Sequence, residues 1–318
     1  MIRTLVVYAT RYGSTEEIAT KMAMVLGPSK CVSCQEFSDD NKDFEMVLLG
    51  APIYSGKLLP EMEEFLKRND KWLRGRHLAV FCVGLDGDNT ANVLSPIVRK
   101  FAEEMIWSSQ FGGRLDIGDV VEADRRGSRE LLQRLDMPSP GRDLVNWAEV
   151  MRAAMEIKHA RDLLDSDMDE NSRRQAVEGY LRARNTCVLA TCSELGVRAT
   201  PLEYHYRDGA MYIITEGGEK MAHLILEPNV SVVVNDHYRG RDTLFGLQMR
   251  GRAKIITKRS PDYDCALQEG GFSPAKIRKL PLDMNMIKVE LIDAELLSAA
   301  LLKAGKTIRQ RVRFLGSL

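Results

Sequence analysis

Apolar positions along the chain follow two different rhythms. Up to about residue 150, short apolar runs alternate with segments of helical spacing. The runs are Thr4–Ala9, Cys31–Phe37, Met46–Gly50, Leu78–Gly84 and Ser109–Arg114, and the helical segments are Thr15–Leu26, Pro60–Arg68 and Val93–Met105. Ile18, Met22, Val25 and Leu26 fall on one helical face, and Gly27-Pro28 ends that helix. Alternating strands and helices predict an α/β, doubly wound parallel sheet with helices on both faces, and the run Met46-Val47-Leu48-Leu49 suits a strand buried on both sides.

Helical spacing continues from about 143 to 165 through Leu144, Trp147, Val150, Met151 and Ala154, and the polar, acidic run Asp165 to Asn171 marks a linker. After a short helix ending near Arg184, strand patterns follow one another at Thr186–Thr191, Arg198–Tyr206, Ala210–Thr215, Val230–Asp236, Leu244–Thr257 and Met286–Leu291. Hairpin-type turns stand at Glu194-Leu195-Gly196 and Arg207-Asp208-Gly209. This half predicts an antiparallel, barrel-type domain with small helices. The expected domains are 1–165 and 166–318.

At 318 residues the chain is long enough for two cores. Its 45 Lys+Arg balance 45 Asp+Glu, so no global field attracts nucleic acid or an anionic membrane. No apolar run is long enough for a membrane span, and Met1 to Tyr8 leads straight into a strand without a signal-peptide pattern, so a cytoplasmic protein is expected. The six cysteines do not form a disulfide framework. Cys31 and Cys34 form a CxxC, but on a strand residues three apart point to opposite faces, so a structural role is expected for both. No metal site is expected.

The first predicted strand runs into Thr10-Arg11-Tyr12-Gly13-Ser14-Thr15 and then a helix. Free N–H groups at a helix start, with hydroxyls from Thr10, Ser14 and Thr15 and a turn at Gly13, form a cradle for phosphate. There is no P-loop lysine and no GxGxxG, so a lone phosphate monoester such as that of FMN fits best. The stretch Gly50-Ala51-Pro52-Ile53-Tyr54-Ser55-Gly56-Lys57 leaves the neighbouring strand at the switch point of such a sheet. This stretch resembles the flavodoxins, which implies that Tyr54 would stack on the flavin ring and Gly56 would let a carbonyl reorient. The loop from Gly84 to Thr90 is polar and glycine-rich, suited to a pyrimidine edge.

Residues 1–150 resemble the flavodoxins, and the string Tyr-Ala-Thr-Arg-Tyr-Gly-Ser-Thr-Glu-Glu-Ile-Ala is similar to the flavodoxin-like branch that includes menaquinone-dependent protoporphyrinogen oxidase. The resemblance implies FMN held by Thr10 to Thr15, Pro52, Ile53 to Lys57 and Gly84. The region 116–141 is short, charged and Pro-containing, unlike the long membrane-binding insertion of that oxidase, which speaks against porphyrinogen oxidation.

Residues 172–318 resemble the pyridoxamine 5'-phosphate oxidase-like split barrels, through Arg198 to Tyr206, Asp208 to Thr215, Glu216 to Leu224 and Glu227 to Val234. The resemblance implies a second FMN, with its phosphate between Arg198 and Lys220, a hydroxyl bond from Thr215, the backbone of Thr200, Pro201 and Leu202 along the ring, and Gln248 as a polar contact. Glu203 stands where the oxidases carry a basic residue, and the last histidine is His237, so vitamin B6 oxidation is not expected. Related barrels bind haem or deazaflavin.

These readings describe an FMN-dependent oxidoreductase or electron-transfer flavoprotein, with a small-molecule or protein redox partner and a homodimer formed through the barrel. NAD(P)H, if used, docks directly against a flavin. The alternatives are a non-enzymatic electron carrier and a haem-handling barrel fused to a flavodoxin reductant. Catalytic residues are not assigned.

Overall fold

The computed structural model describes residues 1–54, 56–136 and 141–314. The chain divides into two compact units, Ile2–Leu164 and Asp165–Leu318.

The first unit runs β1 (Thr4–Tyr8), α1 (Ser14–Val25), β2 (Ser29–Ser33), β3 (Met46–Tyr54), β4 (Lys57–Leu58), α2 (Pro60–Arg68), α3 (Asp70–Leu73), β5 (His77–Gly84), α4 (Gly87–Lys100), β6 (Met105–Gly112), β7 (Arg114–Asp116), α5 (Glu122–Arg134), β8 (Gly141–Asp143) and α6 (Trp147–Leu164). Its parallel sheet has the order β2-β1-β3-β5-β6. The central strands are buried on both faces. Val7, Val47, Leu49 and Val80 pack toward Met62, Phe65, Ile97 and Phe101, while Val6, Leu48, Ala79 and Phe81 pack toward Ile18, Met22, Val150 and Ile157. Continuous apolar runs are what a doubly covered parallel sheet requires.

Several boundaries differ from the expected ones for local reasons. β2 stops at Ser33, where Ser33 and Glu36 exchange hydrogen bonds and close a turn. β3 continues to Tyr54 because β4 folds back on it, pairing Ile53 with Leu58 and Tyr54 with Lys57. α4 begins at Gly87, within the stretch expected to be loop, with Thr90 binding the carbonyl of Asp86 through both its N–H and its hydroxyl. The fifth parallel strand begins at Met105, and Arg114 belongs to the separate β7. The region 116–141 contains a helix, α5, that no pattern in the chain announced.

The second unit contains α7 (Glu170–Arg182), β9 (Thr186–Ser193), β10 (Gly196–Glu203), β11 (His205–Arg207), β12 (Ala210–Thr215), α8 (Glu219–Leu226), β13 (Asn229–Asn235), β14 (Phe245–Ile256), α9 (Tyr263–Glu269), α10 (Pro274–Ile277), β15 (Asn285–Ser298), α11 (Ala299–Lys303) and β16 (Arg309–Arg313). An antiparallel sheet of order β10-β9-β13-β14-β15-β12-β11, with β16 on β15, carries its core on one face: Leu189, Val230, Val232, Leu247, Met249, Ala294 and Leu296. Val177 and Leu181 of α7 pack into the same core. The expected single strand Arg198–Tyr206 is two strands, broken at Tyr204, which is 1% exposed and donates its hydroxyl to the Leu181 carbonyl. Met286–Leu291 is the first half of a longer strand, β15, that continues to Ser298.

Cys31 packs with the core on the α1 face and Cys34 with the opposite core, so the two thiols diverge. Arg309 and Arg311 both pair with Glu295.

Candidate functional site

The site in the first unit is built at the C-terminal ends of β1, β3 and β5, where the strand order reverses direction. A cavity of about 900 Å3 opens there. It brings together nine of the residues expected from the sequence: Arg11, Tyr12, Ser14, Thr15, Pro52, Ile53, Tyr54, Gly56 and Gly84. Thr10, Gly13 and Lys57 do not line it. Ser55 lies outside the described residues.

Thr10 and Gly13 shape the loop instead. The Thr10 hydroxyl accepts the Gly13 N–H at 3.0 Å, and Gly13 is left-handed (φ 86°) where the chain turns into α1. A residue with a Cβ would be strained there. Ser14 and Thr15 open the helix and are 8% and 1% exposed, yet both face the cavity. Among the described residues, no protein group takes up either hydroxyl. With the free N–H groups of the first turn, they make a donor-rich wall that only an acceptor within the cavity can satisfy.

Tyr54 is half-buried and meets Tyr12 edge-to-face, with ring centroids 5.9 Å apart. Burial pushes its phenol up to about 12, against the pull of backbone N–H groups at Arg11 and Tyr12, so it is neutral at physiological pH. Gly56 is left-handed (φ 73°) in the tight turn between β3 and β4. Gly84 admits no side chain, since a Cβ there would stand 2.2 Å from the Thr90 hydroxyl.

The remaining wall was not foreseen. Gly113, Arg114 and Leu115 line one side, and α5 contributes Asp124, Gly127, Ser128, Leu131 and Arg134. Asp124 accepts the Tyr12 hydroxyl at 2.6 Å and pairs with Arg11 at 3.0 Å. Arg134 pairs with Asp86 at 3.0 Å, and Arg114 with Asp143 at 2.9 Å and Glu17 at 3.1 Å. A small apolar cluster of Leu115, Ile117, Val120 and Leu132, against Tyr12 and Leu85, seats the helix. A Cβ on Gly127 would meet no atom within 4 Å, so packing does not explain this mid-helix glycine.

In the second unit, Lys220 opens α8 behind the turn Gly217-Gly218, whose φ values are 130° and 101°. Lys220 is 7% exposed and donates to the Gly217 carbonyl. Its amine is held below its ordinary value, first by burial and then by repulsion from Arg198, against the pull of Glu216. The two expected cations are therefore close enough to feel each other. Arg198 pairs with Glu219, and the Thr215 hydroxyl bonds within its own turn, accepting from the Gly217 N–H at 3.2 Å. Arg198, Thr200 and Leu202 share the face of the buried Thr191, and among the described residues the buried hydroxyls of Thr191 and Thr200 have no hydrogen-bond partner. Pro201 points to the opposite, exposed side. Gln248, also exposed, lies on that side, opposite the core residues Leu247 and Met249. His223 is engaged by Ser193 at 2.8 Å, and His205 by the Gly270 carbonyl and the Phe272 ring. Among the described residues no group of three or more His, Cys, Asp or Glu could hold a metal, and no helix is long and apolar enough to cross a membrane.

Comparison with known proteins agrees with this division. A flavodoxin domain model matches residues 5–126, and a pyridoxamine 5'-phosphate oxidase model matches residues 174–277. No curated protein matches the chain. Solved structures with similarity include ChuZ of Campylobacter jejuni (14% identity, 52% of this chain and 68% of that one, TM-score 0.35). A FAD-binding protein of Mesorhizobium loti gives 20% identity over 37% of this chain and 89% of that one, at a TM-score of 0.28. General stress protein 26 of Bacillus anthracis gives 15% identity over 45% and 99%, at a TM-score of 0.33. The chain joins a flavodoxin domain to a pyridoxamine 5'-phosphate oxidase-like domain.

Proposed function

We propose that the protein is an FMN-dependent oxidoreductase with one flavin site in each domain, the domains being 1–165 and 166–318. The observation that carries the reading is the wall made by Ser14 and Thr15: two mostly buried residues at a helix start that line a cavity large enough for a cofactor. The residues fit FMN. The phosphate would take the Ser14 and Thr15 hydroxyls and the N–H groups of the first α1 turn, and the ring would lie between Tyr54 and the loop after Gly84. FMN supplies the electron transfer; the chain binds it, orients it and excludes water. Neutral Tyr54 offers an uncharged aromatic face.

In the second domain, Lys220 donates to a backbone carbonyl and Arg198 pairs with the exposed Glu219, and a phosphate dianion would offer both cations a stronger acceptor. Accepting it requires Arg198 to leave Glu219 and Lys220 to turn from the Gly217 carbonyl. A redox partner that is a small molecule, NAD(P)H among the options, completes the reading.

Flavin content decides this. Freshly purified protein should bind two FMN per chain, read from absorbance and from titration of apoprotein. Ser14→Ala with Thr15→Ala should weaken the first site by about 1–3 kcal/mol, two hydrogen bonds to a charged group. Unchanged affinity at that site would remove the assignment. Homodimerisation through the barrel is expected because β10 and β11 end its sheet with open edges. Sedimentation of the full chain at micromolar concentration checks it, and a stable monomer contradicts it.

A further inference from the structure

We propose that α5 is a latched roof over the first-domain cavity, and that its opening gates entry and exit of the bound cofactor. The proposal rests on the reading of that cavity as an FMN site.

The helix is tied at both ends to the loops that form the site. Near its start, the Asp124 carboxylate holds two groups of the first loop, the Tyr12 hydroxyl and the Arg11 guanidinium. Ten residues on, about 15 Å along the helix axis, Arg134 holds Asp86 in the loop after β5. Between the latches, Gly127, Ser128 and Leu131 face the cavity. The flavodoxin match ends at residue 126, so this cavity-facing stretch lies beyond the part of the chain that the domain model describes.

Three features suit a roof that moves. The ion-paired side chains are partly exposed, from 23% at Asp86 to 60% at Arg134, and such solvated pairs are weak. The apolar seat under α5 is a small cluster separate from the two main cores, so undocking leaves the sheet and its helices packed. Gly127 lowers the helix's own stability in mid-span, and no neighbour demands a glycine there. A cofactor with its phosphate on Ser14 and Thr15 would share the cavity with α5, and lifting the helix would widen its way in and out.

A gate has a kinetic signature that a binding contact lacks: it changes association and dissociation together. The test uses Asp124→Asn with Arg134→Gln in the full chain. In the ligand-free protein, amide hydrogen exchange of residues 122–134 should quicken by about 5- to 30-fold, as expected for losing two solvated ion pairs. Exchange in α1 and β3 should not change. In stopped-flow fluorescence with FMN, the association and dissociation rate constants should both rise. A rise in dissociation alone would make Asp124 and Arg134 ligand contacts and overturn the gate, as would unchanged α5 exchange. If wild-type protein took up no FMN at this site, the proposed function and the cofactor gate would both fall, while the exchange arm would still report whether α5 is latched.

Discussion

Lys220→Met is expected to act in opposite directions on binding and on folding of the second domain. With FMN it removes one charge-assisted contact to the phosphate, and affinity should fall about ten- to hundredfold, or about 1.5–3 kcal/mol. Without FMN it removes a buried ammonium whose hydrogen-bond acceptor is a single backbone carbonyl, and which Glu216 attracts while Arg198 repels. Such a charge is under-compensated, and an apolar chain of similar length should leave the ligand-free domain as stable or more stable. The sign of the pH dependence follows. Folding lowers the Lys220 pKa from 10.5, so the charged form is the one the fold disfavours. That penalty is complete below the folded-state pKa and disappears as pH rises toward 10.5. Any stability advantage of Lys220→Met should therefore shrink between pH 7.5 and pH 10. Urea unfolding of both proteins at the two pH values measures it. A variant less stable than wild type at both, by a constant margin, would show Lys220 to be a structural cation and would weaken the phosphate reading.

Arg161→Ala should cost the first domain about 3–5 kcal/mol, as expected when one partner of a buried ionic network is removed. Arg161 is 1% exposed. It donates to the Thr4 hydroxyl at 3.0 Å, to the Leu26 and Gly27 carbonyls where α1 ends, and to Asp162 at 3.0 Å. One side chain thus ties α6 to the start of β1 and the end of α1. Its loss opens a void and takes a donor from two carbonyls at once. Against a typical domain stability of about 5–15 kcal/mol the loss is large. Trp72, Trp107 and Trp147 are the chain's three tryptophans and all lie in the first domain. Their fluorescence in a denaturant series therefore reports this domain separately from the barrel. A midpoint shift worth less than about 1 kcal/mol would mean that water replaces the guanidinium readily.

The doubly wound sheet was legible because its signal is strong and local. Runs such as Met46 to Leu49 are fully buried, and helix faces such as Ile18 with Met22 carry the spacing that a packed helix needs. The cavity-lining loop after β1 stood out for a different reason: hydroxyls directly after a strand serve chemistry better than packing. α5 was not legible. Its thirteen residues offer only Ala123, Leu131 and Leu132 as apolar positions, and Gly127-Ser128 interrupts them. A helix that seats lightly on a site needs little apolar surface, so it leaves little pattern. The available trace was charge: Glu122 and Asp124 in the first turn, and Arg126 four residues before Glu130. In the barrel, alternation along β14 was readable, but Tyr204 breaking one expected strand into two was not. That break depends on a hydrogen bond to Leu181, a partner 23 residues away.

Gly127 has a consequence for anyone who would engineer heat resistance into this chain. An alanine there would gain about 1 kcal/mol of helix propensity, and its methyl group would collide with nothing in the protein. Selection for survival at high temperature would favour that change early. The same methyl group would project into the space under the roof, and the added stiffness would slow the roof's opening. A more durable protein would then load and release its cofactor more slowly, and a screen that scored only melting temperature would record the change as an improvement.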